Sequence, residues 1–281
     1  MLVSRKIAAV LSICAAAAVG TVAQAAAVSI GLNFNASNSG RSGAPYNLDA
    51  TPPGLTAGVA IQDNWNDLSG NSQSLPSAAF HDSTGAVTTA TATWSGADTW
   101  GVYGSSQSDP NLQRLNGYLD NHHQTPTSAT LTVSNIPYAT YEVIAYVNSD
   151  HVNTATNASY GNIALGGASG GNATYYYKTV GPVSYTSAQL TAGVEYIQTT
   201  ATTDAGSGNP VADYAIFTGV TGSSFTLTNS AEGTAGSGNN TGLTGIQIVD
   251  TSAVPEPSTV ALAAIGLVGL MLIKRRGAAT H

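Results

Sequence analysis

Charged residues and cysteine are scarce in this 281-residue sequence. Only 8% of the chain is Asp, Glu, Lys or Arg, and eight basic residues stand against fifteen acidic ones. Three of the basic residues, Arg41, Arg114 and Lys178, lie between the two chain ends. So few cations cannot neutralise a run of phosphates, which argues against nucleic-acid binding. The shortage of Glu and Lys also excludes a coiled coil or a long surface helix.

The only cysteine, Cys14, lies in an N-terminal segment that is typical of a signal peptide. Arg5 and Lys6 are followed by an apolar run over 7–22 and then by small residues. This order predicts a secretory signal helix over 1–25 that is removed from the mature protein. An uncleaved membrane anchor is the alternative, but the Ala-rich run is short for spanning. The exported chain then has no cysteine for disulfides, so burial and backbone pairing must stabilise it.

The C-terminus combines a proline-rich motif, an apolar run and a basic cluster in that order. The three parts are Pro255, Glu256 and Pro257 in a linker over 251–258, the apolar run 260–273, and Lys274, Arg275 and Arg276. Fourteen helical residues span about 21 Å, less than the roughly 30 Å hydrocarbon core of a bilayer. The positive-inside rule keeps the basic cluster cytoplasmic and the body of the protein outside the inner membrane.

These features resemble the PEP-CTERM sorting signal of Gram-negative bacteria. The resemblance implies that exosortase, a membrane-embedded transpeptidase, recognises Glu256 between its two prolines while the protein is a transient inner-membrane intermediate. It implies in turn that the segment 259–281 is a sorting helix with a basic tail, and that the protein is delivered to the cell surface or extracellular matrix. A plain C-terminal tail anchor is the alternative, but it leaves the Pro-Glu-Pro motif unexplained.

Between the two ends, the hydrophobic pattern alternates as it does in β-strands. Residues 28–34, 88–94, 129–133 and 141–147 each place apolar side chains on alternate positions, and 141–147 is apolar on both faces. Further strands are predicted at 161–165, 174–180, 194–200, 213–219, 223–228 and 243–249. Gly, Asn, Ser and Pro separate these segments. The sequence therefore predicts an all-β body over 26–250, an antiparallel β-sandwich of jelly-roll type.

Two features add detail to this fold. Asp109 before Pro110 predicts the capped start of a short helix that ends near Asn116, within a long loop over 104–127. The strand 141–147 with the residues before it, and the closing strand near 244–249, resemble segments of galactose-binding-like sandwich domains. That resemblance supports the sandwich fold and implies little about a ligand.

No motif in the sequence specifies a catalytic or metal site. The Gly/Ser stretches lack the G-x-S-x-G spacing of a serine hydrolase, and carboxylate pairs for a glycosidase cannot be chosen from sequence. His122 and His123 lack the spacing of a zinc site. A structural Ca²⁺ is the better metal hypothesis, because oxygen-bearing side chains cluster in one turn. They are those of Asp63, Asn64, Asn66 and Asp67.

The tryptophans carry the hypothesis of glycan binding. Trp94 ends an alternating strand, which indicates a core position, whereas Trp65 and Trp100 stand among polar residues and are the candidates for exposed rings. Exposed aromatic rings stack on sugars, and neighbouring side chains such as Asn64 and Asp67 hydrogen-bond their edges.

Three functions are compatible with these patterns. The preferred one is an exported, non-catalytic matrix protein that associates with extracellular polysaccharide and needs no cofactor. The alternatives are a glycan-binding module that uses Trp or Tyr rings and a secreted enzyme acting on glycans. The enzyme would require two close carboxylates with shifted pKa values.

Overall fold

The computed structural model describes the body of the chain with gaps. The described residues are 27–35, 56–75, 80–102, 109–121, 128–150, 159–179, 181, 196–232 and 240–252. They belong to one unit, Ala27–Val254. The signal segment 1–25, the motif Pro255 to Pro257 and the C-terminal segment 259–281 lie outside them, as do His122 and His123. No helix within the described ranges is long and apolar enough to cross a membrane.

Within the described ranges, fourteen strands form two seven-stranded sheets. The first sheet contains β1 (Ser29–Phe34), β2 (Asn66–Leu68), β5 (Asp98–Gly101), β6 (Gly117–Asp120), β8 (Thr140–Asn148), β12 (Tyr214–Thr221) and β14 (Gly242–Asp250). The second contains β3 (Ser72–Leu75), β4 (Thr91–Ser95), β7 (Ser128–Ser134), β9 (Tyr160–Gly166), β10 (Ala173–Thr179), β11 (Val211–Ala212) and β13 (Ser224–Ala231). The only α-helix in the described ranges is α1 (Pro110–Arg114).

The two sheets pack face to face, which confirms the predicted β-sandwich. The strand order is β12-β8-β14-β1-β2 in the first sheet and β11-β10-β9-β13-β7-β4-β3 in the second, and β5 and β6 attach to the first sheet through β14. Most pairs are antiparallel, but β1 pairs with β2 and β10 pairs with β11 in parallel. Both parallel partners are short strands at sheet edges, so the sheets are mixed rather than purely antiparallel.

The core between the sheets is built from alternate residues of the long strands. Leu32 and Phe34 of the first sheet face Trp94, Leu131 and other apolar side chains of the second. The Phe34 and Trp94 rings meet edge to face with 6.0 Å between centroids. Trp94 is 3% exposed, as its place on an alternating strand predicts. The described residues contain no cysteine, so burial rather than a disulfide supplies their cohesion.

Several sequence predictions need correction at the short elements. The interval 104–127 is not all loop, because 117–120 forms β6. No described strand lies in 196–200, where Gln198 makes an isolated bridge to Tyr214. The short strands β2, β3, β5 and β11 also escaped prediction, because runs of two to four residues carry too little alternation. The helix α1 is confirmed: the Asp109 side chain accepts hydrogen bonds from the backbone N–H groups of Asn111 and Leu112.

Candidate functional site

The predicted aromatic platform does not form at Trp65. This side chain is 1% exposed, so the expectation of an exposed ring there is wrong. The ring lies against the outer face of the first sheet, where it meets Tyr146 edge to face. Trp100 is half-buried, and its indole Nε1 donates a hydrogen bond to Asp150 Oδ2 at 3.0 Å. Glycan contact by Trp100 stays a prediction.

The turn that was predicted to hold Ca²⁺ is tied to other protein groups. Asn66 accepts a hydrogen bond from His81 N–H at 2.9 Å and donates to the carbonyls of Gly31 and His81. Asp67 Oδ1 accepts from Asn33 Nδ2, and exposed Asn64 donates to Ser83 O. The described residues hold no cluster of three or more His, Cys, Asp or Glu side chains suited to a metal ion.

The main polar site of the body, which the sequence did not reveal, surrounds Arg114 on the outer face of the first sheet. We call Arg114, Trp65, Tyr146, Tyr196 and Gln247 the Arg114 cluster. Its members are almost wholly buried: Arg114 is 0% exposed although it ends the short helix α1. A fully buried arginine is rare, because desolvation of its charge is costly unless neighbours compensate.

Three hydrogen bonds and two rings compensate the Arg114 charge. Nη1 donates to Asn33 Oδ1 at 2.7 Å and to Thr244 O at 3.0 Å, and Nη2 donates to Thr244 Oγ1 at 3.0 Å. The guanidinium carbon lies 4.9 Å from the ring centroid of Trp65 and 4.2 Å from that of Tyr146, close enough for cation–π attraction. Burial still lowers the pKa of Arg114 to about 10, so the side chain is charged at neutral pH.

The glutamine and tyrosine side chains of the Arg114 cluster are hydrogen-bonded to one another and to the turn 57–62. Tyr146 donates its hydroxyl to Gln247 Oε1, and the same hydroxyl accepts from Val59 N–H at 2.6 Å. Gln247 Nε2 donates to Gln62 Oε1 at 2.8 Å, which ties the turn 57–62 to β14. Burial raises the pKa of the Tyr146 hydroxyl, although the nearby guanidinium opposes the shift. The phenol is therefore neutral and acts as a donor.

A second polar group lies near the end of β6. Tyr118 donates its hydroxyl to Asp150 Oδ1 at 2.9 Å, so Asp150 accepts from both Tyr118 and Trp100. Burial and the nearby carboxylates of Asp120 and Asp150 raise the pKa of Tyr118. Asp120 lies opposite Asp98 in the β5–β6 pair. This end of the first sheet is acidic and contains the half-buried Trp100 ring.

Two carboxylates with oppositely shifted pKa values interact near the end of β13, an interior strand of the second sheet. Burial raises the pKa of Glu232, and adjacent Asp204 raises it further, whereas Asn162 Nδ2 partly opposes the shift by donating to Glu232 Oε1 at 2.8 Å. Gly206 N–H donates to Asp204 Oδ1 at 2.7 Å, and this bond is the main cause that lowers the pKa of the exposed Asp204 carboxyl.

Comparison with known proteins identifies the C-terminal signal rather than the body. No curated protein and no solved structure matches the chain. The C-terminal match begins at residue 253, directly after the last described residues, and covers the motif, the apolar run and the basic cluster found in the sequence. Residues 253–276 form a PEP-CTERM protein-sorting motif, and the chain is an exported, surface-directed protein whose sorting enzyme is exosortase.

Proposed function

We propose that the chain is a non-catalytic component of the extracellular matrix of a Gram-negative bacterium and associates there with exopolysaccharide. The observation that carries the proposal is the sorting motif at 253–276, which follows directly on a β-sandwich body. A signal peptide at the other end gives the chain an entry to the export pathway. The short apolar run holds it in the inner membrane only until exosortase acts.

The composition and packing of the body support a structural role. Charged residues make up 8% of the chain, and the described ranges contain a buried polar cluster around Arg114. The Nη1 and Nη2 atoms of Arg114 are hydrogen-bonded, whereas Arg114 Nε and Trp65 Nε1 have no hydrogen-bond partner among the described residues. Hydrogen bonds within a buried polar network rigidify a fold. A rigid body with a hydroxyl-rich surface suits a passive matrix component that makes many weak contacts with sugar chains.

The test is the location and the polysaccharide binding of the mature protein in its native host. We expect the mature protein to co-purify with the extracellular matrix and to sediment with exopolysaccharide isolated from that host. We also expect no release of reducing ends from that polysaccharide over long incubation. Mature protein that stays free of the matrix and binds none of its polysaccharide would exclude the proposed association.

The pair Glu232 and Asp204 favours a glycan-active enzyme as the second candidate. Their pKa values move in opposite directions, as those of a general acid and its partner carboxylate do in glycosidases. Against this candidate, glycosidase carboxyls stand about 5 Å apart or more to admit the sugar, whereas these two interact directly. Release of reducing ends that is lost in Glu232→Gln would establish the enzyme and exclude the passive role.

A further inference from the structure

The outer face of the second sheet is covered with hydroxyl groups. In β4, β7 and β13 the buried residues alternate with outward ones, and every outward residue on the regular part of these strands is Ser or Thr. We call these residues the hydroxyl face: Thr91, Thr93, Ser95, Ser128, Thr130, Thr132, Ser134, Ser224, Thr226, Thr228 and Ser230. The three strands are neighbours in the order β13-β7-β4, so the hydroxyls form rows across the sheet.

The register of the strands aligns these hydroxyls. Thr132 lies opposite Thr93 on one side and Thr226 on the other. Its Oγ1 is 2.9 Å from Thr226 Oγ1, and Ser128 Oγ is 2.7 Å from Ser230 Oγ. Strands are about 4.8 Å apart and alternate residues of one strand about 6.8 Å apart, so the face is a regular lattice of donors and acceptors.

An aromatic and amide patch continues the hydroxyl face across the next two strands. In β9, Asn162 points outward beside Ser230. In β10, Tyr176 is opposite Asn162 and shares this face, whereas Tyr177 is 0% exposed and Tyr175 packs on the core. Because successive side chains of a strand point to opposite faces, Tyr176 faces away from both of its neighbours. The Tyr176 ring therefore lies beside the rows of hydroxyls, where it can stack on the flat face of a ligand.

Charge is distributed unequally between the two sheets. The seven strands of the second sheet contain one charged residue, Lys178, and no carboxylate. The strands of the first sheet contain five acidic residues: Asp67, Asp98, Asp120, Glu142 and Asp250. Thr is a common choice on exposed strands because it is β-branched. Strand propensity alone does not explain why the Lys and Glu that normally keep such faces soluble are missing here.

From these observations we propose that the hydroxyl face, together with Asn162 and Tyr176, binds uncharged polysaccharide chains. This proposal rests on the proposed association with exopolysaccharide and assigns it to one surface. Sugar chains present hydroxyls, which can hydrogen-bond to the Ser and Thr hydroxyls of the hydroxyl face. They also present apolar ring faces, which can stack on tyrosine. An acidic protein repels a polyanion, but the hydroxyl face itself carries no charge and can approach a neutral chain. Charged groups lie at its margin, where Lys178 follows two residues after Tyr176 in β10 and Glu232 accepts a hydrogen bond from Asn162.

Substitutions on the hydroxyl face test this assignment in the mature protein from the native host. The probe is the host exopolysaccharide, and binding is measured by sedimentation. We expect Tyr176→Ala to weaken binding roughly fivefold, since a stacked ring contributes about 1 kcal/mol. The double variant Thr132→Val with Thr226→Val removes two hydroxyls at nearly constant shape, and it should weaken binding several-fold.

Matched controls separate loss of contact from loss of fold. Tyr176→Phe keeps the ring, and Thr218→Val changes an exposed strand threonine of the first sheet. Both should bind as the unmodified protein does, and all variants should unfold at its melting temperature. Dextran, which is uncharged, should compete for binding better than alginate, which is a polyanion.

The outcomes distinguish this inference from the function on which it rests. Unmodified protein that binds no host polysaccharide would overturn both. Binding that persists in Tyr176→Ala and in the double valine variant would overturn only the assignment to this face, and better competition by alginate would do the same. If Tyr176→Ala instead converts a dimer to a monomer without changing polysaccharide binding, the face is an interface between copies of the chain and the assignment is wrong.

Discussion

The guanidinium of Arg114 lies over the ring of Tyr146, with 4.2 Å between the guanidinium carbon and the ring centroid. Arg114 ends a five-residue helix, and Tyr146 belongs to β8 in the middle of the first sheet. Their contact fixes the helix to the sheet across the outer face. Because Nη1 and Nη2 both also reach Thr244 of β14, one side chain joins three elements that are distant in sequence.

Replacement of Arg114 by lysine should destabilise the fold although it preserves the charge. Lysine lacks the planar fork that reaches Asn33 and Thr244 together, and its ammonium is more strongly hydrated and costlier to bury. We expect a loss of about 2–4 kcal/mol in the free energy of unfolding, measured by urea denaturation. The control Lys178→Arg makes the reverse exchange at a partly exposed position and should change this free energy little. An Arg114→Lys variant as stable as the original would show that the planar guanidinium is not needed for stability.

The Arg114 cluster could not be found from sequence, and the reason is physical. The Asp109 cap and Pro110 predict α1, and an arginine in the last turn of a helix ordinarily faces solvent. Its burial depends on Asn33 and Thr244, which are 81 and 130 residues away along the chain. The exposed ring predicted for Trp65 was wrong for the same reason. The polar residues next to Trp65 in the sequence are not the residues that cover its ring.

Glycine substitutions in β9 should show how closely it packs on β13. A Cβ on Gly161 would lie 2.1 Å from the backbone oxygen of Ser230, whereas one on Gly166 would have no atom within 4 Å. Gly161→Ala should therefore cost about 1–3 kcal/mol of unfolding free energy, because the backbone of β13 must move. Gly166→Ala in the same strand should be neutral or slightly stabilising. Thermal unfolding of both variants measures the contrast, and equal melting temperatures would contradict the close packing.

The long strands β7, β9 and β13 of the second sheet were predictable from the sequence because each buries one face. In β7, and in β13 as far as Thr228, Ser or Thr alternates with apolar residues and sets the strand, its inward face and its hydroxyl-bearing outward face. The inward Asn229 of β13 departs from this pattern. The alternation gave no information about pairing, so the parallel edges formed by β2 and β11 and the rows of aligned hydroxyls appear only in the structure.

Glu232→Gln should stabilise the protein at neutral pH. The pKa of Glu232 is raised in the folded state, so the folded protein holds this proton more tightly than the unfolded chain does. Its contribution to stability is therefore full in acid and declines as the pH rises through the folded-state pKa. Glutamine carries no charge at either pH. Its amide oxygen can still accept the hydrogen bond from Asn162 and its amide N–H can donate to Asp204, so the variant should not lose stability as the pH rises.

Melting temperatures of the two proteins at about pH 4 and about pH 7 measure the effect. The Gln variant should melt higher at the neutral pH, and the difference should shrink in acid, where Glu232 is itself protonated. Asp204→Asn is the companion variant, because it removes the carboxylate that raises the Glu232 pKa. A difference that is independent of pH would show that the Glu232 charge is not destabilising in the folded protein.

Removal of the Pro-Glu-Pro motif should stop the protein at the inner membrane. As a helix, the apolar run 260–273 would be shorter than a bilayer core, and the positive-inside rule predicts that the basic cluster at 274–276 keeps the tail on the cytoplasmic side. Replacement of Pro255, Glu256 and Pro257 by alanine removes the element that exosortase is expected to recognise but leaves both membrane features intact. Fractionation and immunoblotting should then find full-length protein in the inner membrane.

Mass spectrometry of the mature protein supplies the decisive measurement for this sorting route. Protein recovered outside the cell should yield no peptide that spans 258–274, because cleavage near the motif leaves that segment in the membrane. Thr251→Ala, which lies outside the matched segment 253–276, should be processed normally. Deletion of the exosortase should reproduce the trapped form without any change in this chain, which separates loss of recognition from misfolding of the variant. If extracellular protein still ends in Lys274, Arg275 and Arg276 and the residues after them, the C-terminal segment is not removed and the proposed transient anchor is wrong.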